Sequence, residues 1–416
     1  MFFFYQLIIL IILIFSPIII VFRILKKKED KKRFTEKFCF HSKKRSKGRL
    51  IWFHGASVGE ILSIVPLIKQ YEKNKFISQI LVTSSTLSSS KVIKKFKFSK
   101  TIHQFFPIDN FLFTNKFLKF WKPNVAIFID SEIWPCMFKN IKNRGIPLIL
   151  LNARLTKSTF NKWIKFKNFS EAVFNNISIA FPQNLETKAY LKKLKIKKIN
   201  HLGNLKFVEN YTDNLNKMSS RLKKELLKKK IWVASSTHKN EELFCAKAHI
   251  ELKKKIKNLI TVIIPRHVHR SKQIITDIEK LNLKVSCHSL NPKSLKNVDI
   301  YIVDTFGDTK KFHKIGSTVF LGGSIIRRGG QNPLEAARFG AKILHGRYIE
   351  NFKDVYKLLK HLKISKKINT PKQVASSIIF KKNKNIGIKI KNIGENILKK
   401  TIKELDKIIF NEFKKT

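Results

Sequence analysis

Short apolar runs alternate with longer helical stretches along most of the chain. One series comprises Leu50–Phe53, Ile80–Thr83, Val125–Ile129, Pro147–Leu151 and Ile177–Ala180. A second comprises Ile231–Ala234, Leu259–Ile264, Asp299–Val303, Val319–Leu321 and Lys342–Leu344. The runs are β-branched and lack strict alternation, as strands covered on both faces do. Their spacing of roughly 20–30 residues suits βα units. The pattern predicts an α/β protein with two Rossmann-like αβα domains, residues 49–206 and 231–384, joined by a polar, Lys-rich linker over 207–230. Residues 385–416 carry Ile390, Ile393, Ile397, Ile402, Leu405 and Ile409 near helical spacing, which predicts a closing helix.

The N-terminus follows a different rule. Phe2 to Phe22 contains no charge. At 1.5 Å per residue such a helix spans about 31 Å, close to the roughly 30 Å of a bilayer's hydrocarbon. It lacks the basic start and small-residue cleavage site of a signal peptide. Residues 1–22 are therefore expected to be a single-pass transmembrane helix, with 23–48 a basic juxtamembrane linker. From Arg23 to Leu50 thirteen Lys/Arg stand against Glu29, Asp30 and Glu36. The positive-inside rule puts that flank, and the catalytic body after it, on the cytoplasmic side of the inner membrane.

Charge changes the picture less than its size suggests. With 85 Lys+Arg against 28 Asp+Glu the 416-residue chain carries +57, yet 43% of its residues are hydrophobic, enough to fill two cores. The lysines are spread along the whole chain and accompany a scarcity of Gly (15) and Met (3), so compositional drift explains them as well as a ligand does. Anionic membrane lipids are the expected partner of the basic collar. No nucleic acid is expected: acids and glycines recur after successive strands, and no helix-turn-helix or RRM-like aromatic signature is present. Cys39, Cys136, Cys245 and Cys287 lie far apart without CxxC spacing, which argues against disulfides and a structural zinc and suits a reducing compartment.

In open parallel sheets, ligands bind beyond the carboxyl ends of the strands, and the informative residues lie there. His54-Gly55-Ala56-Ser57-Val58-Gly59-Glu60 follows the first run. Ser57 and Glu60 form an S-x-x-E capping box, which alone explains both. Glu60 also suits a carboxylate base, though a helix N-terminus would keep it ionised and weaken it as one. Asp130-Ser131-Glu132-Ile133-Trp134-Pro135 offers two acids that share one side of an extended backbone, or a turn in which Pro135 starts a helix. Asn152-Ala153-Arg154 and Gly203-Asn204-Leu205-Lys206 follow at later strand ends. Pro265-Arg266-His267 puts an Arg where it can hold a phosphate, or where it is merely solvated. Gly322-Gly323-Ser324 leads to Gly329-Gly330-Gln331-Asn332-Pro333-Leu334-Glu335, with Asn332 as N-cap, Pro333 at the first helical position and free amides for an anion. It is neither a Walker A loop nor a dinucleotide fingerprint, and it suits a nucleotide-sugar. Asp304-Thr305-Phe306-Gly307-Asp308 would form the opposite wall.

HGASVGE, DSEIWP, NAR, GNLK, PRH and GGS followed by GGQNPLEAA, in this order and spacing, resemble the 3-deoxy-D-manno-octulosonic acid (Kdo) transferases of lipopolysaccharide biosynthesis. The resemblance covers nearly the whole chain. It implies a GT-B fold, two Rossmann-like domains facing a cleft. It also implies inverting transfer of Kdo from CMP-Kdo to the glucosamine hydroxyl of a lipid A precursor, without metal or cofactor. Glu60 matches the family's proton acceptor. Asp130 and Lys206 match positions that steady the transition state. Pro265, Arg266, Phe306, Gly307, Asp308, Asn332, Pro333, Leu334 and Glu335 match the CMP-binding segments. Two departures, Asp130-Ser131-Glu132 for Glu-x-Glu and Phe306-Gly307-Asp308 for Met-Gly-Glu, alter side-chain reach. Another membrane-associated GT-B enzyme using a UDP-sugar on a lipid acceptor is the competing expectation.

Overall fold

The computed structural model describes residues 2–208, 218–292 and 294–415. The stretch 209–217 of the expected linker lies outside the described residues. Two compact units emerge, Met1–Thr212 with Gly394–Thr416, and Asp213–Ile393. In the first, β1 (Leu50–His54), β2 (Gln79–Ser84), β3 (Thr101–Phe105), β4 (Val125–Ile129), β5 (Leu148–Ala153) and β6 (Ile179–Pro182) form a parallel sheet in the order β3-β2-β1-β4-β5-β6. In the second, β7 (Lys230–Thr237), β8 (Leu259–Pro265), β9 (Val285–Cys287), β10 (Ile300–Ile302), β11 (Thr318–Leu321), β12 (Lys342–His345) and β13 (Ser365–Lys367) are also parallel, ordered β13-β12-β11-β7-β8-β10-β9. Among the described residues, a helix joins every pair of successive strands except β9 and β10, as parallel crossovers commonly do.

The central strands bury every residue, which is why they read as unbroken apolar runs. Trp52, Phe117, Phe128 and Phe138 anchor the first core, and Trp232, Ile263, Ile302 and Phe320 the second. Each such side chain contributes about 1.5–3 kcal/mol by leaving water. All four cysteines are buried free thiols.

Three local expectations change. Strand β6 starts at Ile179 rather than Ile177. Part of the expected linker is ordered: Phe207 ends the 3₁₀ turn Leu205–Phe207, and Ser220–Leu227 is a helix capped by Ser219. The basic stretch after the N-terminal helix is no loose tether. It holds a 3₁₀ turn, Phe34–Phe38, whose Glu36 carboxylate is fully buried and accepts from Arg33 (2.8 Å) and from the Phe105 amide (2.7 Å). The closing helix runs Lys384–Lys415, and from Gly394 onward it belongs to the first unit, where Asp406 accepts from the Tyr71 hydroxyl at 3.0 Å.

The N-terminal helix, Phe2–Leu25, is apolar around its whole circumference, with a mean hydropathy of 3.0 over an 18-residue window. Only a narrow stripe is covered: Ile9, Ser16 and Ile20 are buried, with Phe2, Tyr5, Gln6, Leu13, Arg23 and Ile24 partly so. Apart from Gln6 and Ile24, which flank it, these positions recur at intervals of three or four, one side of a helix. At its start Tyr5 donates to Asp109 Oδ2 at 2.7 Å, and Phe2 meets Phe169 edge-on at 5.6 Å.

Candidate active site

In the first unit the candidate residues gather where β1 and its neighbour β4 end. The chain leaves β1 at His54 and enters the helix Val58–Glu72 through the expected capping box. Ser57 Oγ accepts from the Glu60 amide (3.3 Å), and Glu60 Oε2 accepts from the Ala56 amide (2.7 Å). Ser57 also donates its hydroxyl to Glu60 Oε1 at 2.6 Å. Capping does not leave Glu60 a weak acid-range carboxylate, as the sequence suggested. Burial, reinforced by the charges of Glu132 and Asp130, pushes it up to about 7 against the pull of Ser57 and Ala56. The helix cap and a carboxyl group pushed toward neutrality are one residue.

The two acids after β4 do not share a side of an extended strand. Asp130 has φ +61°, and the chain turns there, with the Glu132 amide donating to Ile129 O. Pro135 then starts a helix, Pro135–Asn143. The turn sends the carboxylates to different partners. Asp130 Oδ2 lies 3.5 Å from Lys206 Nζ, and its Oδ1 accepts from Ser131 (2.9 Å). Glu132 Oε2 takes the indole N–H of Trp134 (2.9 Å) and faces His54 Nε2 (3.2 Å).

His54 was part of the motif but had no role in the sequence reading. Its ring is wholly buried, stacked on Phe106 with centroids 3.9 Å apart. Burial drives its pKa down despite Glu132, so the ring is neutral. Trp52 Nε1 donates to Thr83 Oγ1 (2.8 Å), whose hydroxyl lies 2.9 Å from His54 Nδ1. A proton on Nε2 then satisfies every group in the chain, and His54 orients Glu132.

Lys206 is positioned from two sides. Asn152, held at φ +52° at the irregularity near the end of β5, accepts the Leu205 amide at 2.9 Å, and Asn204 accepts the Lys206 amide at 2.9 Å. The closing helix backs the same turn, where a Cβ on Gly394 would fall 2.1 Å from Phe207 O. Gly394→Ala should therefore shift the Lys206 turn, lowering stability by about 1–3 kcal/mol and reducing turnover. Paired melting curves and rates would show it, and an unchanged rate would mean the turn tolerates the shift.

In the second unit, Arg266 follows β8, exposed, with its amide donating to Thr237 O (2.9 Å). Burial, the neighbouring His267 and the guanidinium groups of Arg328, Arg266 and Arg270 pull the pKa of His238 down to about 4. Such a cationic group at the ends of β7, β8 and β11 suits a phosphate. Arg270 is committed to Glu242 at 2.9 Å. Phe306 is 83% exposed, and Gly307 has φ +91°. Burial pushes Asp308 up, but Lys311 and Thr305 outweigh it and hold the carboxyl below its usual range. This loop is fastened toward β9, with His288 3.6 Å from Asp308.

The Gly-rich segment corrects the sequence reading. The helix after it is only Leu334–Ala337, and Pro333 stands at its N-cap rather than inside it. Asn332 Oδ1 still accepts the Leu334 amide at 3.0 Å. Glu335 does not close a capping box but pairs with His313 at 3.6 Å. Burial raises its pKa, and His313, Lys310 and Arg338 more than reverse that. The amides of the Gly322–Ser324 turn are not open to an anion. Glu241, fully buried, accepts from Gly323 (2.7 Å), Ser324 (3.1 Å), Ile325 (3.0 Å) and His238 (3.0 Å). Gly322 is needed for close approach, since a Cβ there would lie 2.3 Å from Ser236 O.

A family model described as 3-deoxy-D-manno-octulosonic-acid transferase matches residues 32–209. A 3-deoxy-D-manno-octulosonic acid transferase of Rickettsia felis is 34% identical over 350 residues, 84% of this chain and 75% of that protein. Its counterpart in Haemophilus influenzae is 28% identical over 334 residues, 79% of this chain and 78% of that one. Among solved structures, a glycosyltransferase from Rickettsia africae shares the fold with a TM-score of 0.55 at 12% identity, covering 88% of this chain and 99% of that one. With two parallel αβα units of the GT-B type, the chain belongs to the 3-deoxy-D-manno-octulosonic acid transferase family of glycosyltransferases.

Proposed function

We propose that this glycosyltransferase moves Kdo from CMP-Kdo to the glucosamine hydroxyl of a lipid A precursor, lipid IVA, with inversion and without metal or cofactor. The observation that carries the reading is Glu60, a carboxylate raised to about 7 by burial and by the charges of Glu132 and Asp130, the latter 3.5 Å from Lys206. Glu60 takes the proton of the acceptor hydroxyl. The freed oxygen bonds to the anomeric carbon, and the carbon–oxygen bond to CMP breaks on the opposite face. CMP leaves with that electron pair. Lys206, held by Asp130, offers positive charge to the developing anion. Arg266 holds the donor's phosphate, with Pro265 at its base. Phe306, Gly307 and Asp308 form one wall of the nucleotide site, and Asn332, Pro333, Leu334 and Glu335 the other. Glu335 accepts from a donor hydroxyl. The protein works on the cytoplasmic face of the inner membrane, attached through its N-terminal helix and attracted to anionic lipids by the basic collar.

Titration calorimetry with CMP and UDP separates this reading from a UDP-sugar enzyme. CMP binding that weakens sharply in Arg266→Ala is expected, whereas preference for UDP would overturn the donor assignment. Activity should also follow Glu60. Only its ionised form accepts a proton, so kcat/KM should climb with pH and level off above about 7. The Ser57 hydroxyl stabilises that ionised form, so Ser57→Ala should move the rising limb to higher pH. A limb unmoved in Ser57→Ala would assign it to another group.

A further inference from the structure

We infer that His313 is a positioning residue for the nucleotide donor: with Ser235 behind it, it aims the Glu335 carboxylate at the adjacent hydroxyls of a ribose. This role rests on the donor contact proposed for Glu335 above and specifies which hydroxyls Glu335 takes and what holds it ready. His313 lies in the last turn of the helix Thr309–Ile315, outside every motif legible in the sequence. Its side chain is 3% exposed, whereas Glu335 leaves 41% of its own open. The buried ring thus reaches a carboxylate that is still accessible to a ligand. Nε2 lies 3.0 Å from Ser235 Oγ, near the end of β7, and Nδ1 lies 3.6 Å from Glu335 Oε2. A proton on Nδ1 points at the carboxylate, and Nε2 then accepts from the Ser235 hydroxyl. At its present distance from Glu335, Nδ1 is a buried nitrogen with no hydrogen bond. A carboxylate shift of about 0.7 Å would close the contact, and a buried donor gains from closing it.

The backbone beneath this series is fixed independently. A Cβ on Gly316 would lie 2.6 Å from Val233 Cγ2, so the helix ends hard against β7. Lys382 Nζ donates to the carbonyls of His313 (3.2 Å) and Lys314 (2.6 Å) at that end. Behind the ring, Ser236 has φ +55°, and the register of β7 shifts between Ser235 and Thr237. The helix begins at its N-cap Asp308, directly after Phe306 and Gly307. It therefore joins the two segments proposed to wall the nucleotide. Burial works against a charge on Glu335, but His313, Lys310 and Arg338 outweigh it and keep the carboxyl ionised. An ionised carboxylate is acceptor-only and can take two neighbouring donors at once. In a cytidine monophosphate only the ribose offers two adjacent hydroxyls, and an acid placed after a strand of a parallel sheet is suited to them.

Calorimetry on the full chain with CMP and with its dideoxy analogue, which lacks both ribose hydroxyls, tests this role. The parent should bind CMP about ten-fold tighter or more, the scale of hydrogen bonds to a charged acceptor. His313→Phe keeps a ring and removes both nitrogens. It should shrink that preference several-fold and leave the affinity for the dideoxy analogue as it was. His313→Asn puts an amide near the place of Nδ1 and should restore part of the preference. Ser235→Ala is the milder change; it should lower the preference in the same direction, and it carries the test if His313→Phe does not fold. A histidine that merely supports the fold would weaken both nucleotides alike on substitution, and that result would overturn the inference. So would an undiminished preference in the variants, or no preference in the parent. The same titrations with UMP and its dideoxy analogue keep this role apart from the donor reading. A His313-dependent preference seen with UMP and not with CMP would refute CMP-Kdo as the donor and leave the role of His313 standing.

Discussion

Glu60→Gln is expected to lower Kdo transfer by about 100- to 10,000-fold, the range that general-base catalysis supplies. Gln keeps the size of Glu, and its carbonyl can still accept the Ala56 amide, so the cap survives. Binding of CMP should be unchanged, because the residues proposed to hold the donor belong to the other unit. Folding should not suffer either. The folded state raises the Glu60 pKa to about 7, so its charge weakens the fold as pH rises from the ordinary carboxylate range through that value. Gln removes this cost, and the melting temperature at pH 8 should be no lower than that of the parent chain. Steady-state rates, calorimetry with CMP and melting curves together check the prediction. Near-normal turnover would reduce Glu60 to a helix cap.

The largest effect on stability should come from Glu241→Ala. One carboxylate satisfies four amides at the ends of β7 and β11, and its removal strands them in the interior. Each stranded buried donor costs about 1–3 kcal/mol. Partial relaxation would leave a net loss on the order of 3–5 kcal/mol, among the larger single-site effects. Glu241→Gln retains one accepting oxygen and should fall between. Urea unfolding followed through Trp232, buried in the second core, would report it. An Ala variant as stable as the parent would mean that water replaces the carboxylate.

The central strands were legible because burial on both faces leaves only apolar residues. The strands missed, β3, β9 and β13, lie at sheet edges. Their sequences, such as Ser365-Lys366-Lys367, carry polar side chains because one side meets solvent. Glu60, Asp130 and Lys206 could be found because each follows a strand or a turn with a recognisable motif. Their pairing could not. The left-handed backbone at Asp130 turns two nominally same-sided acids toward Lys206 and His54. Glu241 was hidden for a different reason. In Lys239-Asn240-Glu241-Glu242 it reads as a solvated first turn, and only tertiary structure shows that it fills the Gly-rich loop. The N-terminal helix was recognised by length and apolarity, which are silent on what its narrow stripe touches.

The most direct measurement incubates purified full-length protein with CMP-Kdo and a tetraacylated lipid A precursor and reads the lipid by mass spectrometry. The expected result is a precursor heavier by one or more Kdo residues, with CMP released and Glu60→Gln giving almost none. An unmodified lipid alongside a Glu60-dependent product from a UDP-sugar would contradict the reaction proposed here.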